Sequence, residues 1–209
     1  MINPFENISK KNINKLLDSL YADVINVKKN SAVSKSIIDN NSIGIIVEGY
    51  LQILRTNYNG NTIIIDELVE NNVFGSSLSY VQSNEYEIIA KEDSKIIIMD
   101  ENLLLNFSEP NKQYYNQFIK NMFQILGDLM KEKNERIQII TKKTIRDKLL
   151  EYFSVTRKKS GSINIYLPYN YSNFADYLGV NRSALMRELK NLKEEGFIET
   201  KGNKIKLLY

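Results

Sequence analysis

The period of the apolar residues changes once along this chain, near residue 111, and that change constrains the fold more than any other feature. Between residues 24 and 100 the apolar residues come in short runs, such as Ile43–Val47, Ile63–Ile65 and Ile96–Met99. Turn chemistry separates them at Asn40-Asn41, at Asn57 to Asn61, at Asn71-Asn72 and at Glu92-Asp93. Runs of this length with such punctuation predict an all-β sandwich or barrel, with Asn59-Gly60 as the strongest hairpin signal. Ahead of it, Ile13, Leu16, Leu17 and Leu20 have helical spacing. From Asn111 the spacing becomes three and four. Tyr115, Phe118, Met122, Ile125 and Leu129 form a heptad seam, and Ile119, Phe123, Leu126, Met130 and Ile137 form a second stripe beside it. A helix over about 111–138 would be roughly 42 Å long. Two adjacent stripes offer more apolar surface than one neighbour covers. Either this is a buried core helix, or one stripe packs on the β-domain and the other on a symmetry mate; the second reading is favoured, with Tyr115, Phe118, Met122, Ile125 and Leu129 expected as the homodimer seam.

Composition narrows the chemistry. The chain has 209 residues with no Cys and no His. This excludes disulfides, thiolate metal sites, iron–sulfur clusters, His-ligated haem and an imidazole base. No P-loop, dinucleotide fingerprint or nucleophile elbow is present, and no enzymatic activity is expected. Adjacent carboxylates such as Asp66-Glu67 and Asp100-Glu101 read as solvated turn charges. The N-terminus does not resemble a signal peptide, and no apolar run approaches the roughly 20 residues of a membrane helix. A cytoplasmic protein with no membrane partner is the expectation.

The net charge of +3 conceals a division. Residues 141–209 hold 14 basic and 7 acidic side chains, for +7, whereas the first 140 carry −4. A basic module joined to an acidic remainder is a usual footprint of nucleic-acid binding. Within that module a helix is predicted over Lys143–Phe153, a turn over 158–162 and a short strand over Ile163–Leu167, ending at Pro168.

Asn170 can cap a short helix whose Phe174, Ala175 and Leu178 share one face. Gly179 supplies the turn, where positive φ is cheap. Asn181 caps a second helix with Leu185, Leu189 and Leu192 as its core stripe. This is a helix-turn-helix. The outward side of its second helix carries Arg182, Ser183, Met186 and Arg187, expected to read bases in the major groove. Asn170, Tyr171, Asn181, Lys190, Lys201 and Lys204 are expected to meet phosphates, the last two from a hairpin over Ile198–Lys206 that serves as a wing. A Gly between any two amphipathic helices shares part of this pattern, with Arg and Lys merely solvating the surface. The coincidence of cap, Gly, cap, basic outer side and basic wing argues against that reading.

Leu167-Pro168, Phe174 to Val180, Arg182, Arg187-Glu188-Leu189, Leu192 and Glu195-Gly196-Phe197-Ile198 closely resemble the winged helix-turn-helix of Crp/Fnr-type bacterial transcription regulators. The likeness covers about forty residues without a gap. It extends more weakly upstream through Glu48-Gly49, Asn59-Gly60-Asn61 and Phe74-Gly75. It implies an α+β chain of three parts: a jelly-roll-like, cyclic-nucleotide-binding-like sensor domain over 1–110, a dimerisation helix over 111–140 and a winged helix-turn-helix over 141–209. It further implies a homodimer on an inverted repeat of double-stranded DNA, with RNA polymerase as a further partner.

Two departures bear on specificity and ligand. Family members commonly have an acidic residue after the first Arg of the recognition helix, where this chain has Ser183, and a small residue is frequent where it has Met186. Members that bind cyclic nucleotides have a Gly-Glu pair soon after the Phe-Gly region, then an Arg for the phosphate. Here Phe74-Gly75 leads into Ser76-Ser77-Leu78, Ser83 to Tyr86 hold no cation, and no Arg lies between Arg55 and Arg136. An anionic phosphate needs a cationic partner. Cyclic AMP is not the expected effector, no cofactor is expected, and the effector's identity stays open. The alternative function is a ligand-sensing or protein-interaction module whose helix-turn-helix no longer binds DNA.

Overall fold

A computed structural model describes residues 2–33, 41–56, 62–75, 86–167 and 170–209. The chain divides into two compact units, Met1–Leu129 and Met130–Tyr209, so the division falls inside the long helix. The predicted Asn59-Gly60 turn, the Ser76–Glu85 stretch and Pro168 lie outside the described residues.

The first unit opens with helix α1 (Lys10–Ser19), capped by Ser9. Strands β1 (Asp23–Val27), β2 (Ser42–Glu48), β3 (Tyr50–Thr56), β4 (Thr62–Val69), β5 (Val73–Gly75), β6 (Tyr86–Ala90) and β7 (Ser94–Asp100) follow. They form two antiparallel sheets, one ordered β1-β7-β2-β5 and the other β4-β3-β6. A short helix α2 (Glu101–Leu105) comes next, then the long helix α3 (Gln113–Ile140).

The continuous apolar runs Ile43–Val47 and Ile96–Met99 have a topological cause. The four-stranded sheet is buried on both faces, so its strands do not alternate apolar with polar. Ile46, Phe74, Ile96 and Ile98 point toward the second sheet and join Leu51, Ile53, Leu68 and Ile88 in one core. Ile43, Ile45, Ile97 and Met99 point the other way, onto Leu16, Leu20, Leu104, Phe107, Phe118, Met122 and Ile125. Gly44 is fixed by close approach, since a Cβ there would sit 2.2 Å from Cζ of Phe74.

This second core corrects the expected dimer seam. Phe118 and Ile125 are fully buried and Met122 nearly so, with Tyr115 and Leu129 packed at the edge of the same cluster. Tyr115 also donates its hydroxyl to the Leu104 carbonyl at 2.9 Å and stacks on Phe107. Asn121 reinforces the placement by donating to the carbonyls of Pro4 and Glu6, both at 2.9 Å. The outer face of the sheet needs an apolar cover, and the Tyr115–Leu129 stripe supplies it within the subunit. Of the second stripe, Ile119 packs at the edge of the same cluster, while Phe123 is 74% exposed, Met130 68% and Ile137 53%.

Asp100 is likewise more than a turn charge, because it caps α2 by accepting from the amides of Asn102 at 2.7 Å and Leu103 at 3.2 Å, while Glu101 sits in the first turn of that helix. Asp66 and Glu67 lie within β4, where Glu67 accepts from the Tyr50 hydroxyl.

The second unit comprises the end of α3, then α4 (Ile145–Ser160), β8 (Asn164–Tyr166), α5 (Tyr171–Leu178), α6 (Arg182–Glu194), β9 (Ile198–Lys201) and β10 (Lys204–Leu207). The three strands form an antiparallel sheet ordered β8-β10-β9. Helix α4 outruns its predicted end by two turns. Gly161 closes it in the left-handed conformation, φ 64°, with Arg157, Lys158 and Lys159 in the last turn, where cations suit the helix dipole. The expected α+β architecture is therefore present, with an N-terminal β-domain, a long helix and a helix-turn-helix unit. No helix among the described residues is long and apolar enough to cross a membrane.

Candidate nucleic-acid interface

The helix-turn-helix forms from signals a few residues apart. Asn170 is extended and its Oδ1 accepts from the Asn173 amide at 2.9 Å, starting α5. Gly179 ends α5 at φ 61°, and the Val180 amide returns to the Ala175 carbonyl at 3.0 Å. Asn181 then starts α6, accepting from the Ser183 amide at 2.9 Å. Both caps and the positive-φ glycine are where the sequence puts them.

The inward faces make one core. Phe174, Ala175 and Leu178 of α5 and Leu185, Leu189 and Leu192 of α6 are buried with Leu149, Tyr152 and Phe153 of α4 and with Ile165, Ile198 and Ile205 of the sheet. Tyr152 centres an aromatic group, 4.8 Å from Phe174 and 5.8 Å from Tyr177 between ring centroids. Burial of this stripe fixes which side of α6 faces solvent.

That side carries Arg182, Ser183, Met186, Arg187 and Lys190, all exposed. Among the described residues, neither Arg182 nor Arg187 is held by a hydrogen bond or ion pair. Lys190 meets Glu194 at 3.6 Å with both groups largely in solvent, a pairing too weak to hold it. Arg can present its donor fork to the N7 and O6 edge of guanine, and these guanidinium groups are free to do so.

The inner edge of α6 is tied down by residues that sequence reading missed. Arg146 of α4 donates from Nε to Glu188 at 2.7 Å and grips both oxygens of Glu195, one of them at 2.9 Å. Asn191 also donates to Glu188, at 3.2 Å. The Arg146 hydrogen bond is the main reason the Glu195 carboxyl titrates below the usual range, and the two carboxylates raise Arg146 in return. Lys148 donates to the Leu178 carbonyl at 3.0 Å, satisfying a terminal carbonyl of α5. The partners of Arg146 lie 42 and 49 residues along the chain, so no local pattern signals such a role. In the sequence both residues count only as part of the +7.

The expected phosphate contacts divide. Asn170 and Asn181 spend their side-chain oxygens on the caps and keep amide N–H groups for a ligand. Lys201 is exposed, and Lys204 holds its ammonium 5.4 Å from the Tyr166 ring centre. Tyr171 does not fit its expected role. Its hydroxyl donates to the Gly202 carbonyl at 2.7 Å, and burial pushes its pKa up. The proton a phosphate would need is thus committed to the wing turn. The structure uses Tyr171 to fasten the wing to the start of α5.

In the first unit, the 76–85 part of the expected effector region is outside the described residues. Among those described, the core between the sheets is apolar, and Arg55 lays its guanidinium 5.7 Å from the Tyr86 ring centre.

Comparison with known proteins agrees with this architecture. Residues 146–209 match the Crp-like helix-turn-helix domain, and residues 25–111 match the cyclic nucleotide-binding domain. A probable transcriptional regulator, flp, of Lacticaseibacillus casei is 28% identical over 101 residues, 45% of this chain and 46% of that protein. The match thus spans about half the length of that relative. Among solved structures, a CooA mutant from Carboxydothermus hydrogenoformans superimposes with a TM-score of 0.67 at 19% identity, over 99% of this chain and 91% of that one. CprK complexed with OCPA gives 0.67 at 17% identity, over 96% and 92%. At these identities the likeness is one of fold.

Proposed function

Since the chain belongs to the Crp/Fnr-type transcription regulators, we propose that it binds an inverted repeat of double-stranded DNA as a homodimer, without cyclic AMP as effector. The observation that carries the reading is the two-sidedness of α6. Its inner side is buried and clamped by Arg146, while Arg182 and Arg187 stand unengaged on the outer side. Two cations without an internal role, at the start of a capped helix, suit insertion into a major groove. Arg187 reads a guanine, Arg182, Ser183 and Met186 complete the base-reading set, and Asn170, Asn181, Lys190, Lys201 and Lys204 meet phosphates.

The dimer forms through the outward stripe of α3, with Phe123, Met130 and Ile137 one heptad apart and Ile140 beside them. A second copy is the natural occupant, because a seven-residue repeat kept over three turns of seam matches an identical parallel helix. Pairing of this kind sets two recognition helices about one DNA turn apart.

The apolar core between the sheets and the lack of an arginine from Arg55 to Arg136 support an effector other than a cyclic phosphate, or none. RNA polymerase is a further partner on family grounds. Selection from a random duplex pool tests the reading: an enriched palindrome with half-site centres about 10 bp apart is expected. Return of no enriched palindrome would overturn it. Addition of cyclic AMP is expected to leave the recovered site and its affinity unchanged.

A further inference from the structure

The wing sheet carries an uneven pair of rows on its solvent face. Side chains directly opposite each other on neighbouring strands emerge on the same side. Ile165 of β8, Ile205 of β10 and Thr200 of β9 are in register, and both isoleucines are buried. The rows on either side therefore face outward. In one, Lys206 opposes Glu199 and the two are paired at 3.3 Å. In the other, next to the turn, Tyr166, Lys204 and Lys201 lie side by side.

That second row is costly as it stands. Two lysines directly opposite one another repel, and like charges in this position destabilise a sheet. Tyr166 is 68% exposed, and its hydroxyl has no hydrogen-bond partner among the described residues. A lysine pair without an acidic partner, beside an exposed aromatic ring and a hydroxyl donor, suits a polyanion with apolar sugar faces. The row is also continuous with the start of α5. Leu167 donates its amide to Asn203 at 2.9 Å, and Tyr171 holds Gly202, so the turn is fixed against the helix that Asn170 caps.

We propose that Tyr166, with Lys201 and Lys204, forms a contact strip for the DNA sugar–phosphate backbone beside the bases read by α6. The Tyr166 ring packs on a deoxyribose and its hydroxyl donates to a phosphate oxygen, while the two ammonium groups neutralise neighbouring phosphates. Lys204, drawn toward the ring, is held in place for this contact. The strip carries no sequence information and rests on the DNA-binding reading above.

The test is equilibrium binding of the full chain to the selected inverted repeat and to an unrelated duplex of equal length, at several salt concentrations. Tyr166→Ala is expected to lose about three- to tenfold on both duplexes with an unchanged salt slope, since it removes one hydrogen bond and a packing surface but no charge. Tyr166→Phe is expected to lose the hydroxyl's share of that on both, and it keeps the test valid should the alanine variant fold poorly. Lys204→Ala is expected to weaken both duplexes and to reduce the salt slope by about one per subunit. Wild-type affinity in both Tyr166 variants overturns the proposal, as does a loss confined to the selected site. Unchanged DNA binding with lost activation by purified polymerase would assign the strip to a protein instead. Failure of the wild-type chain to bind any duplex overturns the regulator reading itself, and the strip with it.

Discussion

Arg146, near the start of α4, holds Glu188 on the recognition helix through a 2.7 Å hydrogen bond from Nε, and its remaining donors grip Glu195 at the end of that helix. One planar guanidinium with a fixed fork thus sets the position of α6 at two points about two helical turns apart. Lysine cannot reproduce this. Arg146→Lys is expected to lower the melting temperature of the second unit and to weaken binding to the selected site more than to an unrelated duplex, because base reading depends on the placement of α6. Melting curves and parallel titrations of both duplexes check it.

The same clamp gives a pH dependence. Arg146 holds the folded Glu195 carboxyl below its unfolded value, so its contribution is fully present above the unfolded value and is lost as pH falls through the folded one. Wild type and Glu195→Gln are expected to differ in thermal stability at neutral pH and to converge on acidification below the ordinary carboxylate range. A difference that persists in acid would show that the pairing is not its source.

Changes to the inner and the outer stripe of α3 are expected to behave oppositely. Phe118→Ala empties a fully buried site against the sheet and should cost about 3–5 kcal/mol of stability. Phe123→Glu combined with Met130→Glu alters only the outward stripe, and should leave the fold intact while light scattering reports a monomer with much weaker DNA binding. A dimer that survives the double change would exclude this stripe as the seam.

Arg187→Ala is expected to cost about 1–3 kcal/mol on the selected site and to relax preference at one base pair. Lys201→Ala should weaken all sequences alike and flatten the salt dependence. Selection repeated with each variant separates the two effects.

Gly127 lies in the interior of α3 with nothing within 4 Å of where a Cβ would stand. No contact within the subunit requires glycine there. In the monomeric Phe123→Glu, Met130→Glu background, Gly127→Ala is expected to add about 0.5–1 kcal/mol by helix propensity, as measured by urea unfolding. Weakened dimerisation by the same change in an otherwise wild-type chain would show that two helices approach closely at this point.

Legibility in the sequence followed the range of the interaction. Asn170, Gly179 and Asn181 act on amides and carbonyls within four residues, so the turn and both helix starts are readable from a short window. Lys158 to Gly161 misled, because a basic run before glycine suits a helix end as well as a turn. Tyr171 and Arg146 were opaque for another reason. Their partners, Gly202 and Glu188 with Glu195, lie 31 to 49 residues away, and no local pattern marks such a pairing.

The sequence alone determined the two regimes of structure, the helix-turn-helix and the outer side of α6, since each follows from periodicity and capping. It also determined that α3 has two apolar stripes. It did not determine which stripe belongs to the subunit, because hydrophobic attraction has no direction and both stripes suit either partner. Only the tertiary structure decided that. The sheet of β1, β7, β2 and β5 presents a second apolar face, and the Tyr115–Leu129 stripe covers it, leaving Phe123, Met130 and Ile137 to solvent.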